Sequence, residues 1–163
     1  MLMEAPHILT TLEQSAFGAA IRQSTWAYPA ANVGHIVSLT LLAGSVAIMD
    51  ARLLGAFAAT SPASIVRPAR RMAIGALGLM AMSGFVLFTA EASHVALNPV
   101  FQTKMALIIL GVLNAGLVGG ALSKALEVIG PHQPLPGRVR LAAGLSMLIW
   151  ISVAACGRLI AYF

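Results

Sequence analysis

Residues 30–49 read AANVGHIVSLTLLAGSVAIM. The stretch carries no Asp, Glu, Lys or Arg, and one histidine, His35. A bilayer core of about 30 Å takes roughly 20 apolar residues as a helix, so this segment is long enough to cross it. Working outward, three more stretches pass the same test: residues 72–90, 105–122 and 141–162. Backbone polar groups in lipid must bond to one another, and no period-2 alternation of the kind a membrane barrel needs is present, so all four read as helices. The expected fold is an all-α integral membrane protein: one membrane domain over 1–163, built as a bundle of four transmembrane helices.

Composition supports this. Of 163 residues, 59% are hydrophobic and only 9% charged, against about 45–50% and about 25% in an ordinary soluble domain. Mean hydropathy is +0.89. Five acids and ten bases cannot form the polar shell of a soluble enzyme. The net charge of +5 is better explained by loop charges that set topology than by a nucleic-acid partner. The single cysteine, Cys156, lies in an apolar segment and allows no internal disulfide.

The few charges orient the chain. Arg52, Arg67, Arg70 and Arg71 fall between the first two spans, and Lys124, Arg138 and Arg140 between the last two. Arg22, Lys104 and Arg158 fall on the other side. Basic loops stay in the cytoplasm, which predicts a bacterial inner-membrane protein with both termini periplasmic. Asp50 and Arg52 read as anchors of the first span, and Arg67, Arg70 and Arg71 as a cytoplasmic anchor. Ahead of the first span, Ile8, Leu12, Ala16 and Ala19 recur at helical spacing, and Thr10 and Glu13 have capping-box spacing. Residues 7–25 are expected to form one amphipathic helix on the outer membrane surface, with Trp26 and Tyr28 at the interface. Asn98-Pro99 predicts a helix start. Small residues predict packing faces: Gly111, Ala115 and Gly119, with Gly116 and Gly120 beside them, on the third span, and Gly75, Gly78 and Gly84 on the second.

Ionisable residues at membrane depth point to function. His35 sits early in the first span, with Asn32 one turn before and Ser38 one turn after on the same face. His94 follows the second span, with Glu91 and Asn98 at helical spacing around it, and Lys104 opens the third. All of these gather at the outer end of the bundle. Imidazoles are good ligands for haem iron and copper. His35 and His94 would therefore be axial ligands of a b-type haem, with Asn32 supporting His35 and with Lys104 and Arg22 facing the haem carboxylates. The redox partner would be a quinone or a protein. Two other readings stand beside this one. His35, His94 and Glu91 could handle copper or another metal, or the chain could be a structural subunit of a larger complex or a homo-oligomer. No phosphate-binding loop, zinc-protease motif or nucleophile elbow is present, so any enzyme here would be a haem-dependent oxidoreductase or its cytochrome subunit.

The run Trp26-Ala27-Tyr28-Pro29-Ala30-Ala31-Asn32-Val33-Gly34-His35 resembles an uncharacterised family of small bacterial membrane proteins. Asp50-Ala51-Arg52-Leu53-Leu54-Gly55 resembles a second signature of that family, and Asn98-Pro99-Val100-Phe101 with Lys104 and then Leu113-Asn114-Ala115 a third. A more distant likeness is to the copper-resistance D membrane domain and the HemJ-type protoporphyrinogen oxidase. These are helix bundles, and the oxidase type is associated with b-type haem. What this likeness implies for the present chain is limited to His35 and Lys104. Many relatives in the closer family have a histidine soon after the Asn-Ala of the third span. Here that stretch is Gly116-Leu117-Val118-Gly119, which leaves His94 as the second histidine.

Overall fold

The computed structural model describes residues 6–162. Glu4, one of the few N-terminal charges, lies outside them. Two short helices, α1 (His7–Glu13) and α2 (Ala16–Gln23), lead into α3 (Ala27–Leu54). Then follow α4 (Pro62–Ala90), a short α5 (Ala92–Leu97), α6 (Pro99–Val128) and α7 (Gly137–Leu159), which tightens into a 3-10 turn, Ile160–Tyr162.

 The long helix α7 spans Gly137–Leu159. Four helices, Ala27–Leu54, Pro62–Ala90, Pro99–Val128 and Gly137–Tyr162, are long and apolar enough to cross a membrane.

The sequence boundaries need correction at several points. The spans are longer than the stretches 30–49, 72–90, 105–122 and 141–162, because polar and charged residues continue each helix past its apolar core. Arg67, Arg70 and Arg71 are therefore in the first turns of α4 rather than in a loop. The expected single helix over 7–25 is broken in two. Ser15 caps α2: its hydroxyl accepts from the Gly18 N–H at 3.1 Å and donates to the Leu12 carbonyl at 2.6 Å. A side chain that bonds its own backbone in this way competes with a continuous helix. Thr10 and Glu13 do not form a capping box, because the Thr10 hydroxyl donates to the His7 carbonyl and Glu13 bonds to Ser93 instead.

Other ends follow local chemistry. The α3 C-terminus closes at Gly55, whose φ of 121° lies where a side chain would be strained. Its N–H donates to the Arg52 carbonyl at 3.2 Å, and the Ala56 N–H to the Ala51 carbonyl at 2.9 Å, which satisfies carbonyls the helix leaves free. Asn98 caps α6, its Oδ1 accepting from the Val100 and Phe101 N–H groups at 2.8 and 3.3 Å, with Pro99 at the first helical position.

The long helices form a curved row in the order α4, α3, α7, α6. Extensive contact runs between α3 and α4, between α3 and α7 and between α7 and α6, whereas α4 and α6 barely touch. A cleft therefore separates α4 from α6. Toward the ends of the row where α3 finishes, Leu53, Val66, Leu122, Leu126, Val139 and Ala143 pack around Leu135 of the α6–α7 loop. Midway along, Leu42, Val46, Ala73, Ala76 and Met80 form a second core, flanked by Trp150. Lipid tails are as apolar as leucine, so close approach rather than water exclusion holds such helices together. Only some of the small residues serve that purpose. A Cβ added at Gly111 would sit 3.2 Å from the Trp150 ring, and one at Gly84 3.2 Å from the His35 ring. Gly75, Gly78, Gly116 and Gly120 face open space, which corrects the reading of those four as packing contacts within the chain.

Candidate functional site

The antiparallel course of the long helices brings the start of α3, the end of α4, the start of α6 and the end of α7 to one end of the bundle. A cavity of about 710 Å³ lies there. From α3 it is lined by Tyr28, Asn32 and His35; from α4 and its C-cap by Gly84, Phe88 and Glu91. His94 enters from α5, Phe101 and Lys104 from α6, and Gly157 from α7. The structure thus brings together five of the residues singled out in the sequence: Asn32, His35, Glu91, His94 and Lys104. A second cavity of about 430 Å³ shares His35, Gly84, Phe88, Phe101 and Lys104, and extends inward to Met80, Ile108 and Trp150. His35 and Lys104 therefore stand where an outer polar chamber meets an inner apolar one.

His35 is fixed by α4. Its Nδ1 lies 2.9 Å from the Ser83 hydroxyl, and that hydroxyl donates to the Leu79 carbonyl at 2.9 Å. When the hydroxyl proton stays on that carbonyl, the Ser83 oxygen accepts from Nδ1–H, the tautomer that leaves the imidazole lone pair on Nε2. Gly84, next to Ser83, gives the ring its space. Asn32 and Ser38 share the helix face with His35, but neither is its hydrogen-bond partner: the Ser38 hydroxyl donates to the Gly34 carbonyl at 2.7 Å. Ser83 went unread in the sequence. The available signal was a hydroxyl in the middle of a span, beside a glycine, in Met82-Ser83-Gly84.

Lys104 reaches across to α7, where a Cβ at Gly157 would sit 3.6 Å from its Nζ. The Phe88 and Phe101 rings stack 5.6 Å apart at 12° and bridge α4 to α6 across the cleft. Arg22 is not among the lining residues. Its guanidinium donates to the Glu13 carbonyl at 2.6 Å and to the Ala90 carbonyl at 3.1 Å, which ties α1 and α2 to the end of α4. Glu13 in turn accepts from the Ser93 N–H at 2.9 Å and from the Ser93 hydroxyl. The two Ser93 donors, with Arg22 and His94 nearby, hold the Glu13 carboxyl below its ordinary value against a small opposing effect of burial.

At the other end of the bundle, Asp50 and Arg52 are not surface anchors. Each is 1% exposed. The Arg52 guanidinium donates twice to the Thr60 carbonyl, at 3.2 and 2.8 Å, and holds the α3–α4 loop. Asp50 Oδ2 has no hydrogen-bond partner.

Among the described residues, no three His, Cys, Asp or Glu side chains gather as a metal-ion site requires. The arrangement at the cavity instead offers separate imidazoles, a cation and aromatic walls. Neither a curated protein nor a solved structure matches the chain, so the comparisons lend no support to the expected likeness to the copper-resistance D domain and the HemJ-type oxidase. Residues 15–163 match a family of unknown function (DUF6644), and the chain belongs to that family.

Proposed function

We propose that the chain is a membrane b-type haem protein that transfers electrons near the periplasmic face of a bacterial inner membrane. The observation that carries the reading is His35. Its Nδ1 lies 2.9 Å from the Ser83 hydroxyl, and the ring lines a cavity that His94 and Lys104 also line. A ligating histidine is commonly held this way, with its other ring nitrogen donating to a neighbour that sets tautomer and orientation.

The residues present fit the group. A cavity of about 710 Å³ lies within the roughly 300–1,000 Å³ usual for small-molecule and cofactor sites. His35 and His94 would hold the group through their imidazoles. The Phe88–Phe101 stack offers an apolar wall, and Lys104 offers a cation for a propionate carboxylate. When bound, haem supplies reversible one-electron chemistry whose potential the axial ligands and surrounding polarity set. The chain's own part is to hold the imidazole by Ser83, to exclude water with the aromatic walls, and to neutralise negative charge with Lys104. The electron partner would be a quinone or a membrane-bound or periplasmic protein.

The same histidines also serve the copper reading. It is the weaker of the two, because a bare ion needs more protein ligands than are gathered here. The test is the reduced-minus-oxidised absorption spectrum of protein purified from cells with adequate haem supply. A Soret band with sharpened bands on reduction is expected. Its absence would overturn the haem reading, and copper in an elemental analysis of the same sample would favour the alternative.

A further inference from the structure

At the opposite end of the α4–α6 cleft lies a cavity of about 390 Å³. Arg67, Arg70, Arg71 and Ile74 line it from α4, and Ser123 and Glu127 from α6. Spacings of three and four residues put the three guanidinium groups on one helix face. Among the described residues, the side-chain hydrogen bonds of arginine belong to Arg22, Arg52 and Arg158. Arg67, Arg70 and Arg71 make none. The Ser123 hydroxyl donates to the Gly119 carbonyl at 2.9 Å, so the donors free to meet a ligand here are the guanidinium groups. One carboxylate against three guanidinium groups leaves the cavity strongly positive.

Arg70 reaches from α4 to α6. A Cβ at Gly119 would sit 3.3 Å from its Nη2, so the missing side chain is what gives the guanidinium its place. Arg70 and Ile74 also line a neighbouring cavity of about 240 Å³, whose other walls include Leu77, Val112 and Val118. The positive chamber therefore continues into a mainly apolar one, which Asp50 and Asn114 also line. Because α4 and α6 barely touch, no packing between these two helices closes the passage.

We propose that this end of the cleft binds an anionic phospholipid, with its headgroup phosphate among Arg67, Arg70 and Arg71 and an acyl chain along the cleft past Ile74. Guanidinium groups match phosphate in charge and in forked hydrogen-bond geometry. The apolar continuation distinguishes a lipid from a free anion, which has nothing to place there. Basic residues at the cytoplasmic end also meet the leaflet surface whose anionic lipids attract them. The arginine chamber shares no residue with either cavity that His35 lines, and only the apolar continuation meets the inner one, at Leu77 and Trp150.

The full chain in mild detergent tests this, by native mass spectrometry and by thermal unfolding with added phosphatidylglycerol, phosphatidylethanolamine or inorganic phosphate. Phosphatidylglycerol should be retained in preference to phosphatidylethanolamine and should raise the unfolding midpoint, while inorganic phosphate should not. Arg70→Gln should weaken that retention on the order of tenfold, as loss of a charge-assisted hydrogen bond does. Arg70→Lys should restore part of it. Gly119→Leu, which fills the space of the guanidinium and leaves every charge in place, should weaken it as well. Equal retention of the two lipids, unchanged retention in both Arg70→Gln and Gly119→Leu, or equal stabilisation by inorganic phosphate would overturn the proposal.

Discussion

His35 and Ser83 come from different helices, 48 residues apart, and their bond engages Nδ1 of the ring. This gives a prediction confined to one oxygen. Ser83→Ala removes the partner of Nδ1 without filling the cavity. It should weaken haem retention by about 10- to 100-fold, the usual cost of losing a ligand's outer partner, and leave helix content unchanged by circular dichroism. Gly84→Leu works by volume instead. A Cβ there already approaches the ring to 3.2 Å, so the larger side chain should displace the imidazole and reduce haem binding in a titration. If either variant binds as the parent does, the ring is not positioned as described. At this scale the sequence was partly legible. His35, Glu91, His94 and Lys104 stand out because ionisable groups are costly in a span. Ser83 does not, because a serine can satisfy itself on its own helix, and only tertiary packing reveals its second bond. Arg22 carries the charge expected of a carboxylate partner, but main-chain carbonyls of α1 and α4 occupy its guanidinium. No sequence pattern announces an acceptor contributed by a distant backbone.

The helices themselves were legible where the physics is one-dimensional. Hydropathy and length locate four spans, and Asn98-Pro99 marks the start of α6 as its side-chain bonds require. The ends were less so, since Arg67, Arg70 and Arg71 extend α4 without contributing to hydropathy. The break between α1 and α2 was hidden for another reason. The apolar stripe runs through it, and the Ser15 cap together with the close seat of Gly18 decides the outcome. A Cβ at Gly18 would lie 2.8 Å from the Thr89 carbonyl and 2.6 Å from the Glu13 carbonyl. Gly18→Ala should therefore push α2 off the end of α4 and destabilise the fold by about 1–3 kcal/mol, as overpacking does. Thermal unfolding of the pair checks it. The docking of α1 onto α5 should also depend on pH. The carboxyl of Glu13 is held below its ordinary value by the Ser93 donors. Its stabilising contribution is therefore full above the ordinary glutamate range and is lost as the pH falls through the lowered value. Amide hydrogen exchange at Ser93 should accelerate on acidification in the parent, and should be fast and much less pH-sensitive, once intrinsic exchange is corrected for, in Glu13→Gln. A corrected rate that is the same in both proteins at every pH would show that this contact does not hold α1.

For the whole molecule, the row α4, α3, α7, α6 leaves a broad apolar surface and one cleft. Val33, Val37, Leu117, Leu148 and Ile151 are all more than half exposed, as expected for helices that meet lipid. Charge is concentrated away from that surface. Arg67, Arg70 and Arg71 stand at one end of the cleft, and Glu91, His94 and Lys104 stand around the His35 cavity at the other. A chain with so few charges therefore places many of them on two cavities rather than spreading them over a shell. The central claim is that His35 presents Nε2 to a haem in the larger of those cavities. The most direct test is a haem titration of purified protein and of His35→Ala, followed at the Soret band, with circular dichroism to show that both remain helical. The account predicts tight binding of one haem per chain in the parent and its loss in the folded His35→Ala protein. Undiminished haem binding by folded His35→Ala would contradict it.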